Sequence, residues 1–220
     1  MTLNKKLAGG LLGIALAGFQ ALAIPIGVGD SVIPNSAALP GGLTLLASQT
    51  TTYNSGSVSI AVDAAVYSGN SLGGYTFTYQ IRNIGTTKNL TQFSVDGWDP
   101  FLNNPATVNV SYETSSGLRN PTGATRADST ESDDITFNFS TLATRIAPGQ
   151  QSALLIFEST INRYDYWGSG GGTFSDNKGF IFDIEDGTPL LGPPVPDGGT
   201  TIILFGFALT GLGLLRRKLS

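Results

Sequence analysis

The 220-residue chain contains no cysteine and no histidine, and only 13% of its residues carry a charge. Without cysteine there can be no disulfide, no thiolate metal site and no cysteine nucleophile. Without histidine the commonest general base and the commonest zinc ligand are missing too. These absences weigh against enzymology, so the sequence is read as non-enzymatic, with no catalytic residue, cofactor or metal ligand assigned. Basic residues are scarce where it matters. Five of the twelve lysines and arginines (Lys5, Lys6, Arg216, Arg217 and Lys218) lie at the two ends. The seven left between Ile24 and Pro194 face fifteen acids, a balance of −8. This acidic balance argues against nucleic acid as a partner, because its phosphates need Lys and Arg to displace counterions. Lys, Glu and Leu are also too sparse for amphipathic helices, whereas 29 glycines and many Ser and Thr suit an all-β domain.

The first 23 residues have the three parts of a secretory signal. Lys5 and Lys6 supply the positive start, Leu7 to Phe19 an apolar stretch, and Ala21-Leu-Ala23 small residues at −3 and −1. Signal peptidase cleavage after Ala23 is the expectation. A membrane anchor or a buried first helix is the competing reading, for which the apolar run is short.

Between residues 24 and 190 the hydrophobic period is two. Val58, Ile60, Val62, Ala64 and Val66 share one face; Tyr75, Phe77, Tyr79 and Ile81 alternate with Thr76, Thr78, Gln80 and Arg82; Ile135, Phe137 and Phe139 repeat the pattern. Less regular strands are expected at Leu43–Thr50, Gln92–Val95, Thr107–Tyr112, Ser152–Glu158 and Phe180–Ile184. Turn signals such as Ser68-Gly-Asn70, Asn120-Pro-Thr-Gly123 and Ala147-Pro-Gly149 separate them. About eight short strands with no helical period predict an antiparallel β-sandwich of Ig-like or jelly-roll type. A β-barrel fits the same pattern. The polar stretch Glu113–Asp134 and the glycine run Gly168–Gly172 read as loops.

Chemistry-bearing residues are few. Asp96, Asp99, Glu158, Asp165, Asp183 and Glu185 are the acids from which a glycan hydrolase would draw its carboxylate pair, but no spacing singles out two of them. Asp128–Asp134, or Asp176-Asn177 with Asp183, offer oxygen ligands of the kind calcium takes, although the DxDxDG pattern is absent. Trp98, Tyr164, Tyr166 and Trp167 stand near turns, where aromatic faces would stack on sugar rings if exposed. The competing reading, that such bulky residues fill the core, is favoured. Asn89, Asn109 and Asn138 begin glycosylation-type sequons, which chance readily produces in a chain this rich in Ser, Thr and Asn.

The tail has a different character. Residues 191–199 form a linker within Gly187–Gly199, whose four prolines and four glycines suit neither helix nor sheet. From Thr200 to Leu215 sixteen residues carry no charge. As a helix they would cover about 24 Å, slightly under the roughly 30 Å hydrocarbon thickness. Arg216, Arg217 and Lys218 then act as a membrane stop that favours the cytoplasmic side. A core helix or strand is the competing reading.

In order, Val195-Pro196-Asp197-Gly198-Gly199, an apolar span and a basic cluster resemble the PEP-CTERM class of bacterial sorting signals, in its VPDSG-CTERM variant. Gly198 stands where the variant's name has Ser. The resemblance covers about 26 residues. It implies recognition and processing by an exosortase-like membrane enzyme, and the export of extracellular polysaccharide tends to accompany such systems. The resulting expectation is an exported protein held by its C-terminal helix and then delivered to the envelope, cell surface or matrix. A carbohydrate-binding module and a carboxylate-dependent glycan hydrolase are the alternatives for the domain.

Overall fold

A computed structural model describes residues 22–55, 58–98, 106–127, 134–182 and 190–194, with the backbone alone of Trp167. Its strands are β1 (Ile24–Pro25), β2 (Ser31–Val32), β3 (Asn35–Ser36), β4 (Thr44–Ser55), β5 (Val58–Ser68), β6 (Tyr75–Asn83), β7 (Leu90–Val95), β8 (Val108–Glu113), β9 (Gly123–Arg126), β10 (Ile135–Asn138), β11 (Leu154–Ser159), β12 (Asp165–Gly168), β13 (Gly170–Phe174), β14 (Gly179–Phe182) and β15 (Leu190–Gly192). No helix occurs among the described residues.

Two open sheets result. The first has the order β1-β8-β11-β6-β5-β4, with β3 also paired to β8; the second runs β14-β13-β7-β10-β9-β2. Strands β12 and β15 form a separate pair. Pairing is antiparallel throughout except between β3 and β8. The sheets meet through the side chains that the period of two selects. Tyr79 of the first packs on Phe93 of the second, ring centroids 5.8 Å apart, and Phe157 meets Phe137 at 5.2 Å. Each such aromatic pair adds about 0.5–1.5 kcal/mol beyond the area it buries. A ring-rich core of this kind holds a domain that has no disulfides.

The outer face of the first sheet is covered in part by its own chain. Residues 37–43 leave β3 at one edge and enter β4 at the other, across five strand spacings, or about 24 Å. Leu39 N–H donates to Glu113 Oε2 at 2.9 Å, on the outward side of β8, so the segment crosses that face diagonally. Outward-facing Thr76, Ser111, Ile156 and Glu158 are all buried.

All eight expected strands are present within a few residues. Three expectations fail. Gly168–Gly172 is not a loop: Gly170, Gly171 and Gly172 lie in β13, paired with β7 on one side and β14 on the other. There a Cβ on Gly170 would lie 2.6 Å from Ser94 O, and one on Gly171 2.5 Å from Phe180 O. The glycines serve close strand approach, not mobility. Glu113–Asp134 is not wholly loop either, since it contains β9. The boundary drawn between 190 and 191 falls inside β15, where Leu190 and Leu191 are fully buried, so the linker does not begin there.

Candidate functional site

The expected sorting motif, Val195 to Gly199, lies outside the described residues. So do the apolar span after it, the stop at Arg216, Arg217 and Lys218, and Ala21 of the cleavage site. Ala23 is described and half-buried just before β1. The structure does show how the chain approaches the motif. After β15, Pro193 and Pro194 run against Gly97: a Cβ there would lie 3.2 Å from Pro193 O and 3.3 Å from Pro194 O. Gly97 also has φ 91°, a conformation that favours glycine. The domain is therefore packed up to residue 194, with no free tether before the motif. No membrane-length apolar helix occurs among the described residues.

The aromatics divide. Trp98 is a core residue: fully buried, stacked on Phe157 at 4.9 Å and 15°, edge-on to Phe77, with Nε1–H donating to Val95 O at 2.8 Å. It cannot meet a sugar. Tyr164 and Tyr166 are placed differently. Tyr164 lies 6.1 Å from Tyr75 and 5.9 Å from Tyr166, and Tyr166 is 48% exposed. Tyr75 and Tyr164 are half-buried against the core, so the accessible part of this row is Tyr166 on β12. Trp167 adjoins it in sequence, but its side chain lies outside the description.

The candidate carboxylates are dispersed. Asp99, Asp183 and Glu185 lie outside the described residues, as do positions 128–133. Glu158 lies on the outer face of the first sheet opposite Asn109 and Thr76, neither of them an acid. Burial pushes its carboxyl above the ordinary range, and a hydrogen bond with Asn109 opposes the shift. Asp165 belongs to β12, elsewhere on the molecule. Asp96 has the one acidic neighbour that sequence spacing did not reveal. It follows the Val95–Ile135 pair, which places it across from Asp134. Both acids line a shallow groove of about 320 Å³ on the outer face of the second sheet, floored by Gly170–Gly172 and walled by Gln92, Ser94 and Thr136. Asp96 accepts from Ser169 Oγ at 2.8 Å, and Asp134 from Thr136 Oγ1 at 3.2 Å. The groove is polar and hydrogen-bonding, its floor made of backbone.

Asp176 is engaged by a cation: Lys88 Nζ lies 3.1 Å from its Oδ2, and that contact holds its carboxyl below the ordinary range. Asn177 is the turn residue of the β13–β14 hairpin, with φ 61°. The expected oxygen cluster of Asp176 and Asn177 is thus a turn closed by an ion pair; its third member, Asp183, lies outside the described residues. Among the sequons, Asn109 is in β8 and Asn138 in β10.

No curated protein and no solved structure matches the chain. One family model does, and it covers residues 194–219, beginning at the last described residue. Val195 to Gly199, the apolar span and all of Arg216, Arg217 and Lys218 fall inside the match. The C-terminal segment of this chain is a VPDSG-CTERM motif, the sorting-signal variant its residues resemble.

Proposed function

We infer that the chain is an exported cell-surface or extracellular-matrix protein, delivered by a tail that an exosortase-like enzyme processes. In this reading its β domain performs no catalysis. The observation that carries the proposal is the VPDSG-CTERM match over residues 194–219. The motif supports an exported, envelope-associated protein in general; association with exopolysaccharide is the finer proposal. Signal peptidase acts at the N-terminus, the C-terminal helix holds the chain in the membrane with its basic end inside, and processing then releases the domain. The two facing sheets are read as a sandwich of Ig-like or jelly-roll type. Mass spectrometry of the mature C-terminus from the native host tests delivery: the segment after about Asp197 should be missing. An intact Ser220 in membrane fractions would refute processing and leave a simple tail anchor.

A second reading, a carbohydrate-binding module, is favoured by the exposed Tyr166 ring beside Tyr164 and by the glycine-floored groove. Affinity electrophoresis on polysaccharide extracted from the host tests it. Retardation that weakens in Tyr166→Ala supports the reading, and unretarded migration of the wild-type chain sinks it.

A further inference from the structure

The domain between Ile24 and Pro194 contains two lysines, Lys88 and Lys178. In a stretch with a balance of −8, scattered lysines would be expected to serve solubility or local ion pairs. Instead the fold brings both to one pocket of about 290 Å³ at an end of the sheets. One wall comes from the β4–β5 hairpin through Tyr53, Ser55 and Val58; the other comes from the β13–β14 turn through Phe174, Asp176, Lys178 and Gly179.

Local structure holds these walls in place. Phe174 N–H donates to Lys178 O at 2.9 Å and Asn177 N–H to Phe174 O at 2.9 Å, with Asn177 left-handed, so the turn is closed at both levels. Ser175 N–H donates to Asn89 O at 2.9 Å, tying the turn to the segment that carries Lys88. Lys88 is committed to Asp176. Lys178 is exposed and makes no ion pair among the described residues. The Tyr53 ring is half-buried and packed against Phe180 at 5.4 Å and Phe182 at 6.4 Å, so it is a fixed wall. The pocket therefore combines an uncommitted ammonium, an immobile aromatic ring and a hydroxyl.

We propose that this pocket binds a carboxylated sugar unit, a uronate-type residue of an acidic polysaccharide. Lys178 takes the carboxylate, Tyr53 is the apolar wall beside the ring, and Ser55 and Asp176 receive the hydroxyls. Within the pocket a single carboxylate fits better than phosphate, because the neighbouring Asp176 carboxylate repels a dianion more strongly than a single charge. A bare anion would also leave the Tyr53 wall unused. The inference rests on the carbohydrate-binding reading for the kind of ligand, but on residues apart from the Tyr164–Tyr166 surface, so the two can fail separately.

The test is an NMR titration of the full chain in detergent micelles with three probes: trigalacturonate, its methyl ester and inorganic phosphate. Trigalacturonate should shift the amides of residues 53, 88 and 178, with affinity that falls as salt is added. Lys178→Gln should weaken binding about tenfold, the loss of one charge-assisted hydrogen bond, with unchanged thermal melting because the side chain is exposed. The methyl ester should bind as weakly as the variant does. Equal binding of trigalacturonate and its ester, equal binding of phosphate, or unchanged binding by Lys178→Gln would overturn the proposal. So would shifts confined to residues 164–166, an outcome that would leave the carbohydrate-binding reading standing.

Discussion

Arg126 is the residue whose removal should cost the domain most for its size. It occupies the core-facing register of β9 beside Ala124 and is 3% exposed. Its guanidinium donates to Ala106 O at 2.8 Å, Ile26 O at 3.3 Å and Trp98 O at 3.3 Å. Three stretches distant in sequence are thereby tied to one side chain. Arg126→Met keeps the length and removes every donor. Trp98 O still accepts from Ala106 N–H at 2.9 Å, so it stays satisfied. Ala106 O and Ile26 O lose the donor that Arg126 gave them, at about 1–3 kcal/mol for each buried acceptor left unmade. Relief from desolvating a buried charge offsets part of this loss. The net expectation is about 3 kcal/mol, a substantial part of the 5–15 kcal/mol typical of a domain. With a urea slope of about 2 kcal/mol/M, the midpoint should fall by about 1.5 M. Tryptophan fluorescence can follow the transition, since Trp98 is fully buried in the native state. Amide exchange at Ala106 should accelerate as well. A midpoint shift under about 0.5 M would show that Ala106 O and Ile26 O do not depend on the guanidinium, refuting the reasoning.

Two further outcomes follow from packing. Glu158 has a folded-state pKa raised above its unfolded value by burial, so the folded chain holds that proton more tightly. Stability from this group is complete below about pH 4.5 and is lost as pH rises through the raised value. Glu158→Gln should therefore gain stability relative to wild type at pH 7.5 and little at pH 4; equal urea midpoint differences at both pH values would contradict the sign. Truncation should discriminate sharply by position. A chain ending at Pro194 keeps β15 and should melt like the full chain, whereas one ending at Pro189 loses Leu190 and Leu191, each worth about 1.5–3 kcal/mol of burial. Equal melting of the two truncated chains by circular dichroism would remove β15 from the core.

What the sequence disclosed about the fold depended on whether side chains carried the signal. Strands β5, β6 and β10 alternate apolar and polar residues, and their limits were readable almost to the residue. Strand β13 has no such alternation, because its first three residues are glycines whose missing Cβ atoms let neighbouring backbones close in. Glycine runs have the same appearance in a flexible loop, and only the presence of β7 and β14 on either side separates the two cases. Strand β15 was hidden by the prolines and glycines around it. Arg126 was missed because charge reads as outward, yet three carbonyls make an inward site for it. The Asp96–Asp134 neighbourhood and the convergence of Lys88 with Lys178 depend on strand register and hairpin placement across long separations, which local pattern does not encode. The aromatic residues were weighed correctly toward the core for Trp98, and the opposite placement of Tyr166 could not be told from its bulk.

The junction between domain and tail joins these two kinds of information. Leu190 and Leu191 are buried, a Cβ on Gly192 would lie 3.1 Å from the Tyr79 hydroxyl, and Pro193 and Pro194 press on Gly97. The VPDSG-CTERM match begins at residue 194, so Pro194, which presses on Gly97, is also the first residue of the match. A cut at or beyond residues 195–199 therefore removes no described strand. A cut a few residues earlier would take away β15. Processing and folding place opposite demands on a chain, accessibility in one case and burial in the other. The described chain stays packed as far as Pro193 and Pro194, consecutive prolines that cannot donate to a sheet ladder. On the proposed processing after about Asp197, every described strand would stay with the released domain.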